Sequence, residues 1–401
     1  MTPEAQLEIL ARSCVDLHSQ EELLEKLKEG RPLRIKYGAD PSAPDLHLGH
    51  SVPLWRLRQF QDLGHTVVFI IGDFTGMIGD PSGKSKTRPM LTREQVEANA
   101  RTYAEQLGKI LDVDKCEVHY NSEWFSKMTT AEFLALASHY TVARMLERDD
   151  FALRMRDEVP ISMLELMYPL VQAYDSVAID SDIEIGGTDQ LFNFLVARDI
   201  MRAYGKTPQC VMTWPLLVGL DGHVKMSKSL GNYVGITDEP NDMFGKLMSI
   251  PDETMPQYFR LLLGKEEQEV QEMREAMASG AVNPRNLKAE LGRAIVGMYY
   301  DDAAAQAASD EFDHVFAAKQ VPTDIAQVDV SEELEDGHMW IVQAAVVTGL
   351  APTKGEARRL VRQGGVRLND AVISDEMAQV EIHDGDVLNV GKRRFAQLRV
   401  K

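Results

Sequence analysis

Leu33-Arg34-Ile35-Lys36-Tyr37-Gly38-Ala39-Asp40 runs into Pro41-Ser42-Ala43-Pro44-Asp45 and then into His47-Leu48-Gly49-His50. The first eight residues read as a short strand, and the proline-rich segment as a turn. Past Gly49 a helical spacing sets in, with Leu54, Leu57 and Leu63 among Arg56, Arg58, Gln59 and Gln61. Gly64 stops that helix. Thr66 to Ile71 is then a continuous apolar run of the kind a parallel sheet buries on both faces. Thr92-Arg93-Glu94-Gln95 is a capping box that opens a helix to about Leu111, and Cys116 to Tyr120 is a further strand. Strand, helix, strand, helix, strand is the order of a Rossmann-like, doubly wound parallel α/β sheet.

The remaining segments continue that plan and then leave it. Residues from about 123 to 180 read as a helical insertion. Ile183 to Ile185 is a brief strand ending at Gly186-Gly187, a helix spans Gln190 to Tyr204, and Gln209 to Val218 is another strand. Gly222 to Gly231 is a polar, Lys/Ser-rich loop. From Met243 to about Ala318 helical periodicity dominates. Val321 to Gly337 carries six acidic residues and no basic one, which suits a linker. Thr353-Lys354-Gly355-Glu356 is a second capping box, its helix ending at Gly364-Gly365, with short strands around Val366-Leu368 and Val387-Val390. The expected division is 1–225 (sheet domain, with the insertion), 226–325 (the Lys/Ser-rich loop and a helical domain), 326–337 (linker) and 338–401 (a small α+β domain).

A chain of 401 residues has room for two or three domains, and 44% hydrophobic with 26% charged residues is ordinary globular composition. The longest apolar run, Val67 to Ile71, is far short of the ~20 residues of a spanning helix, so no membrane is expected as a partner. The N-terminus lacks a basic start followed by an apolar stretch, which makes the cytoplasm the expected compartment. Cys14, Cys116 and Cys210 lie far apart, against a zinc ribbon or a disulfide framework. The net charge of −19 argues against nucleic acid, but it hides an asymmetry. From His338 to Lys401 ten Lys/Arg face seven Asp/Glu, a local balance of +3 on an otherwise acidic chain. A basic tail of that kind holds RNA through its local field.

Four constellations carry chemistry. His47-Leu48-Gly49-His50 sits where a strand hands over to its helix, where ligands of open α/β sheets bind and where helix N–H groups attract phosphate. Two imidazoles suit phosphate oxygens, and Gly49 lets a flat base approach the backbone. The plain alternative is a pair of surface histidines near a cap; a zinc site lacks a third ligand. Lys225-Met226-Ser227-Lys228-Ser229 lies 175 residues after His50. Its two lysines suit a departing pyrophosphate, against the plain alternative of a solvated basic loop. Gly79-Asp80-Pro81-Ser82-Gly83-Lys84 is not a Walker A loop, being one residue short between its glycines. Tyr168, Gln172 and Asp175 share one helical face at i, i+4 and i+7, as a binding site or as a polar network. Gly186-Gly187-Thr188-Asp189-Gln190 lets a ligand lie against the backbone, with Asp189 an acceptor for ribose hydroxyls or a helix cap.

His-Leu-Gly-His followed by Lys-Met-Ser-Lys-Ser resembles the paired motif of the class I aminoacyl-tRNA synthetases. Over essentially its whole length the chain is similar to the bacterial tyrosyl-tRNA synthetases, in the branch that carries KMSKS. The resemblance implies a two-step reaction. Tyrosine attacks the α-phosphorus of ATP to give tyrosyl-adenylate and pyrophosphate, and the terminal adenosine of tRNA(Tyr) then accepts the tyrosyl group. It implies His47, His50, Lys225 and Lys228 as the transition-state group, with Ser42 and Lys84 as weaker members. Asp40, Ser42, Gly49, Gly187, Asp189 and Ser229 join those four in the ATP site. Asp80, Tyr168 and Gln172 hold the amino group of tyrosine, Gln190 orients it, and Asp175 meets the phenol. Magnesium accompanies ATP, with no protein metal site.

The segment from Met339 resembles an S4 RNA-binding domain, with Lys354, Arg358, Arg359 and Arg362 facing tRNA, while the helical domain binds the anticodon and contributes Asp252. The family is a homodimer through the inserted segment. Three positions depart mildly: Ser42 for a common threonine, Leu48 for isoleucine, and Pro53 for a threonine of the other branch. Lys36 departs more seriously, standing where that branch has a tyrosine that touches the substrate phenol. Tryptophanyl-tRNA synthetases share the phosphate motifs but lack the S4-like end. A small-molecule adenylyltransferase needs no RNA module. A catalytically idle RNA-binding relative is expected to show decay in the phosphate motifs, and none is visible.

Overall fold

Six strands form the larger sheet: β1 (Asp16–His18), β2 (Arg34–Ala39), β3 (Thr66–Ile71), β4 (Glu117–Tyr120), β5 (Ile183–Gly187) and β6 (Cys210–Trp214). The order is β1-β6-β5-β2-β3-β4. β6, β5, β2, β3 and β4 are mutually parallel, and β1 is an antiparallel edge. The computed structural model describes residues 1–40, 45–81, 92–316, 325–369, 371–391 and 394–400. The chain divides into two compact units, Met1–Ala305 and Gln306–Lys401.

Burial explains why these segments are strands. Val67 to Ile71 and all five residues of β6 are buried, so helices cover both faces and the strands read as unbroken apolar runs. Between β2 and β5 the winding reverses, since β2 continues to β3 on one side while β5 lies on the other. That switch point opens a crevice beyond the carboxyl ends of β2 and β5, where ligands of this sheet type bind. Helices Leu48–Asp62, Met163–Ile179 and Leu191–Ala203 surround it.

Several expected bounds shift. The Thr92 box closes as expected, with Gln95 N–H donating to Thr92 Oγ1 and Thr92 N–H donating to Gln95 Oε1, but its helix ends at Leu107 rather than Leu111. The strand expected over Gln209–Val218 ends at Trp214, because Pro215 cannot extend the ladder. β1 was not expected; three residues, Asp-Leu-His, carry no strand pattern. Residues 123–180 are helical as read, with helices Ser122–Phe125, Thr130–Ser138, Val142–Met145, Asp149–Arg156 and Met163–Ile179.

In the second unit, β7 (Ala326–Asp329), β8 (His338–Trp340), β9 (Val366–Leu368), β10 (Ala371–Ile373), β11 (Gln379–Glu381), β12 (Val387–Val390) and β13 (Arg394–Arg399) make two sheets, β10-β9-β12-β13-β7 and β11-β8. Ala326–Asp329 lies in the stretch read as a linker, yet it pairs in parallel with β13. Acidic composition does not prevent an edge strand whose side chains are mostly exposed. Helices Ile341–Val347 and Lys354–Arg362 pack Ala344, Ala345, Ala357 and Val361 against Val366, Leu388, Val390 and Leu398. The second capping box forms only in part: Thr353 Oγ1 accepts from Glu356 N–H, but the Glu356 carboxylate pairs with Arg359.

Candidate active site

The histidine motif is itself the cap of helix Leu48–Asp62. His47 is the N-cap, and its Nδ1 accepts from Gly49 N–H at 3.2 Å. His50 occupies N3, and its Nδ1 accepts from His47 N–H at 3.2 Å. Each ring spends its lone pair on a backbone donor, so each carries its proton on Nε2 as a donor. Burial pushes His47 down to about 2, helped by His50, and His50 down to about 4, helped by the Lys225 charge. Both are therefore neutral near pH 7, which lets ring centroids lie 3.8 Å apart without repulsion.

The lysine loop lies directly on this cap. Leu48 N–H donates to Val234 O, Ile236 N–H donates to Leu46 O, and His47 bridges Gly235. A Cβ on Gly49 would stand 3.0 Å from the His47 ring and 3.5 Å from Met226 Cβ. Met226 is buried and anchors the motif, its N–H donating to Leu217 O. Lys225 Nζ reaches Asp189 Oδ2 at 2.9 Å, and Lys228 Nζ pairs with Asp45 Oδ2. Ser229 shares a hydrogen bond with Ser227 at 2.9 Å. Gly187 is required by close packing: a Cβ there would meet Leu216 Cδ2 at 2.6 Å and Asp189 Oδ1 at 2.8 Å. Ser42 and Lys84 lie outside the described residues.

On the other side of the switch point the polar residues form a connected network. Tyr168 OH donates to Asp40 Oδ2 at 2.8 Å, and Thr75 Oγ1 donates to Asp40 Oδ1 at 2.6 Å. Asp40, expected in the ATP site, is thus joined to a residue expected on tyrosine, because it directly follows β2 at the mouth of the crevice. Gln190 Nε2 donates to Asp80 Oδ2 at 3.0 Å. Asn193 Nδ2 donates to Gln172 Oε1 and to Gln190 Oε1, both at 3.0 Å. Asp175 accepts from Trp124 Nε1 at 2.9 Å and from Asn121 Nδ2 at 3.4 Å. Burial raises its carboxyl to about 7 against the pull of Lys36 and of these two donors. Burial likewise holds the Tyr168 phenol well above its ordinary range.

Sequence reasoning missed Thr75, Asn121, Trp124, Asn193 and Asp45. Asn121 had a legible signal, as a polar residue just past the carboxyl end of β4. Asp45 sits two positions before the first histidine but carries no pattern of its own. Asp252 forms an ion pair with Lys288 at 2.5 Å. In the second unit Lys354 and Arg358 stand over the Trp340 ring, at 5.6 and 5.2 Å from its centroid. Arg359 pairs with Glu356, and Arg362 with Glu376 at 2.9 Å. Among the described residues no group of three His, Cys, Asp or Glu is placed to hold a metal ion, and no helix is long and apolar enough to cross a membrane.

Residues 28–317 match the family of tRNA synthetases class I (W and Y), and residues 339–387 match the S4 domain. The tyrosine–tRNA ligase of Thermotoga maritima is 52% identical over 398 residues, covering 99% of this chain and 98% of that protein. That of Oleidesulfovibrio alaskensis is 51% identical over 401 residues and covers both chains completely. Among solved structures, tyrosyl-tRNA synthetase from Archaeoglobus fulgidus complexed with L-tyrosine superimposes with a TM-score of 0.63 at 22% identity, over 77% of this chain and 99% of that one. At that identity the likeness is one of fold.

Proposed function

From the premise that the chain belongs to the class I tRNA synthetases, as a tyrosine–tRNA ligase, we propose how its residues divide the reaction. The enzyme activates tyrosine with ATP to tyrosyl-adenylate and pyrophosphate, then transfers the tyrosyl group to the 3′-terminal adenosine of its tRNA. One observation carries the assignment of the phosphate end: the packing of Gly49 against Met226, which sets two neutral imidazoles beside the KMSKS lysines. In our reading His47 and His50 donate from Nε2 to phosphate oxygens. Being neutral, they meet the developing charge as hydrogen-bond donors and keep their protons.

Lys225 and Lys228 rest on Asp189 and Asp45 in pairs that are roughly a third exposed. Pairs of that kind contribute up to about 1 kcal/mol, so exchanging a carboxylate for a phosphate costs little. Moving Lys225 onto pyrophosphate frees Asp189 for the ribose hydroxyls. Asp40, Gly49, Gly187 and Ser229 complete the nucleotide site, together with Ser42. Asp80, Tyr168, Gln172 and Gln190 hold the amino acid, and Asp175 takes the phenol. Magnesium enters with ATP. Imidazole and ammonium do not fit a hard cation, and the carboxylates Asp189 and Asp45 are occupied by the two lysines, so in this reading the ion would be carried by the phosphate oxygens of ATP as part of the substrate.

The segment 226–325, with Asp252, binds the anticodon end of tRNA(Tyr). The S4 segment 338–401 contributes Lys354, Arg358, Arg359 and Arg362. Lys354 and Arg358, braced over Trp340, present charge to phosphate, while Trp340 supports them from below. The exposed Leu134, Val142, Leu153, Met155, Met163 and Leu164, all on the inserted helices, support a homodimer through that segment. We place the enzyme in the cytoplasm with its tRNA.

Amino-acid-dependent ATP–pyrophosphate exchange tests the assignment. Tyrosine alone among the twenty is expected to support exchange. Lys228→Ala is expected to slow exchange at saturating substrates while tyrosine affinity barely changes. A Lys228→Ala enzyme that loses tyrosine binding but keeps its rate would overturn the role given to this lysine.

A further inference from the structure

Lys36 is an unusual tenant of β2. It is 0% exposed, and its ion-pair partner Glu184, on the neighbouring strand β5, is 1% exposed. The ammonium has three oxygen partners: it donates to Ser176 Oγ at 2.8 Å and to the backbone carbonyl of Gln172 at 3.0 Å, and Glu184 Oε1 stands 2.8 Å away as its ion-pair partner. Two of those acceptors belong to one turn of helix Met163–Ile179, the turn that carries Gln172 and Asp175. Glu184 is held from its other side by Gln209 Nε2 and, at 3.4 Å, by Ser176 Oγ. A buried pair is a poor device for stability, since well-packed apolar residues of the same volume usually serve as well. Its position supplies a reason for keeping it.

We propose that Lys36 is a positioning residue for substrate selection: by clamping the Gln172–Ser176 turn to the sheet and setting a fixed positive charge beside Asp175, it gives the enzyme its preference for tyrosine over phenylalanine. This rests on Asp175 being the partner of the substrate phenol. A carboxylate in that place accepts a hydrogen bond from the phenol hydroxyl, and phenylalanine leaves it buried and unpaired. A neutral carboxylic acid in the same place is less costly to leave unpaired, so the preference weakens if Asp175 is protonated. The groups facing Asp175 are few. Lys36 on β2 favours the ionised form, Glu184 on β5 opposes it, and Trp124 and Asn121 donate to it. Tyr168, one turn earlier on the same helix, keeps its hydroxyl on Asp40. Lys36 is therefore the positive charge that sustains the carboxylate, and it acts without touching the substrate.

Lys36→Met alone leaves Glu184 charged and uncompensated in the core. The test accordingly uses Lys36→Met with Glu184→Gln, a neutral pair of similar volume, alongside Glu184→Gln alone, Lys36→Arg and Asp175→Asn. For each, kcat/KM in ATP–pyrophosphate exchange is measured with tyrosine and with phenylalanine, from about pH 5.5 to about pH 8.5. The double variant is expected to lose at least about tenfold of the tyrosine-to-phenylalanine ratio, the factor to which one pH unit in the Asp175 titration corresponds. Its acid limb for tyrosine is expected to move to higher pH. Glu184→Gln and Lys36→Arg, which keep the positive charge, are expected to retain the ratio. A double variant with unchanged ratio and unchanged limb overturns the proposal. So does a Glu184→Gln enzyme that loses the ratio as completely as the double variant, because then packing alone is responsible. An Asp175→Asn enzyme that keeps the full ratio removes the premise, and the proposal with it. One that loses the ratio while the double variant keeps it refutes Lys36 alone.

Discussion

Asp175 places recognition and folding in opposition. Its carboxyl is raised from 3.8 to about 7, chiefly by burial. The unfolded chain releases that proton near pH 4 and the folded one near pH 7. The folded state therefore binds more protons across this window, and stability falls as pH rises through it, with the full penalty above about pH 7. A rise of that size corresponds to roughly 4 kcal/mol at most. Asp175→Asn is expected to gain stability relative to the parent on going from pH 5 to pH 8, read as the difference in Tm between the two proteins at each pH. A difference that does not change with pH would mean that Asp175 is already ionised without penalty. At this scale the sequence was partly legible. The spacing of Tyr168, Gln172 and Asp175 marks one helical face, but Lys36 reads only as a charge in a strand. Its partner Glu184 is 148 residues away, and no local pattern links them.

The helix Leu48–Asp62 shows how an element can carry chemistry in its cap. Ordinary caps use serine, threonine, aspartate or asparagine. Here two histidines cap reciprocally, which fixes their tautomers and leaves both Nε2–H groups as donors. Gly49 is the tight point of that arrangement, between the His47 ring and Met226. Gly49→Ala is expected to push His47 off its cap and to lower the exchange rate about hundredfold to thousandfold, comparable to losing one preorganised donor. Tyrosine affinity is expected to stay near the parent value, because the amino-acid network lies across the crevice. Equilibrium binding of tyrosine together with the exchange rate separates the two effects. A rate within twofold of the parent would show that the cap tolerates a methyl group.

For the whole molecule, the sheet order and the insertion decide where sites and surfaces lie. Crossing between β2 and β5 puts the two motifs and the buried polar network around one crevice, although they span residues 40 to 229 of the chain. The inserted helices carry large apolar side chains that the described chain leaves exposed. Met155→Glu with Leu164→Glu is expected to convert a two-chain particle into single chains, read by light scattering, with the circular dichroism of the helices unchanged. A parent protein that already has the mass of one chain would dismiss the dimer. By itself the sequence determined the parallel α/β class, the pair of motifs that pack together beside the crevice, the helical insertion and the basic terminal module. These follow from local periodicity, from turn residues, and from residue types that only a particular chemistry needs. Only the tertiary structure decided the edge strand β1, the pairing of Ala326–Asp329 with β13, the parking of each lysine on a carboxylate, and the partner of Lys36. Each of these rests on contacts between residues far apart in the chain, and such contacts follow from burial and packing, which leave no repeat in the sequence to read.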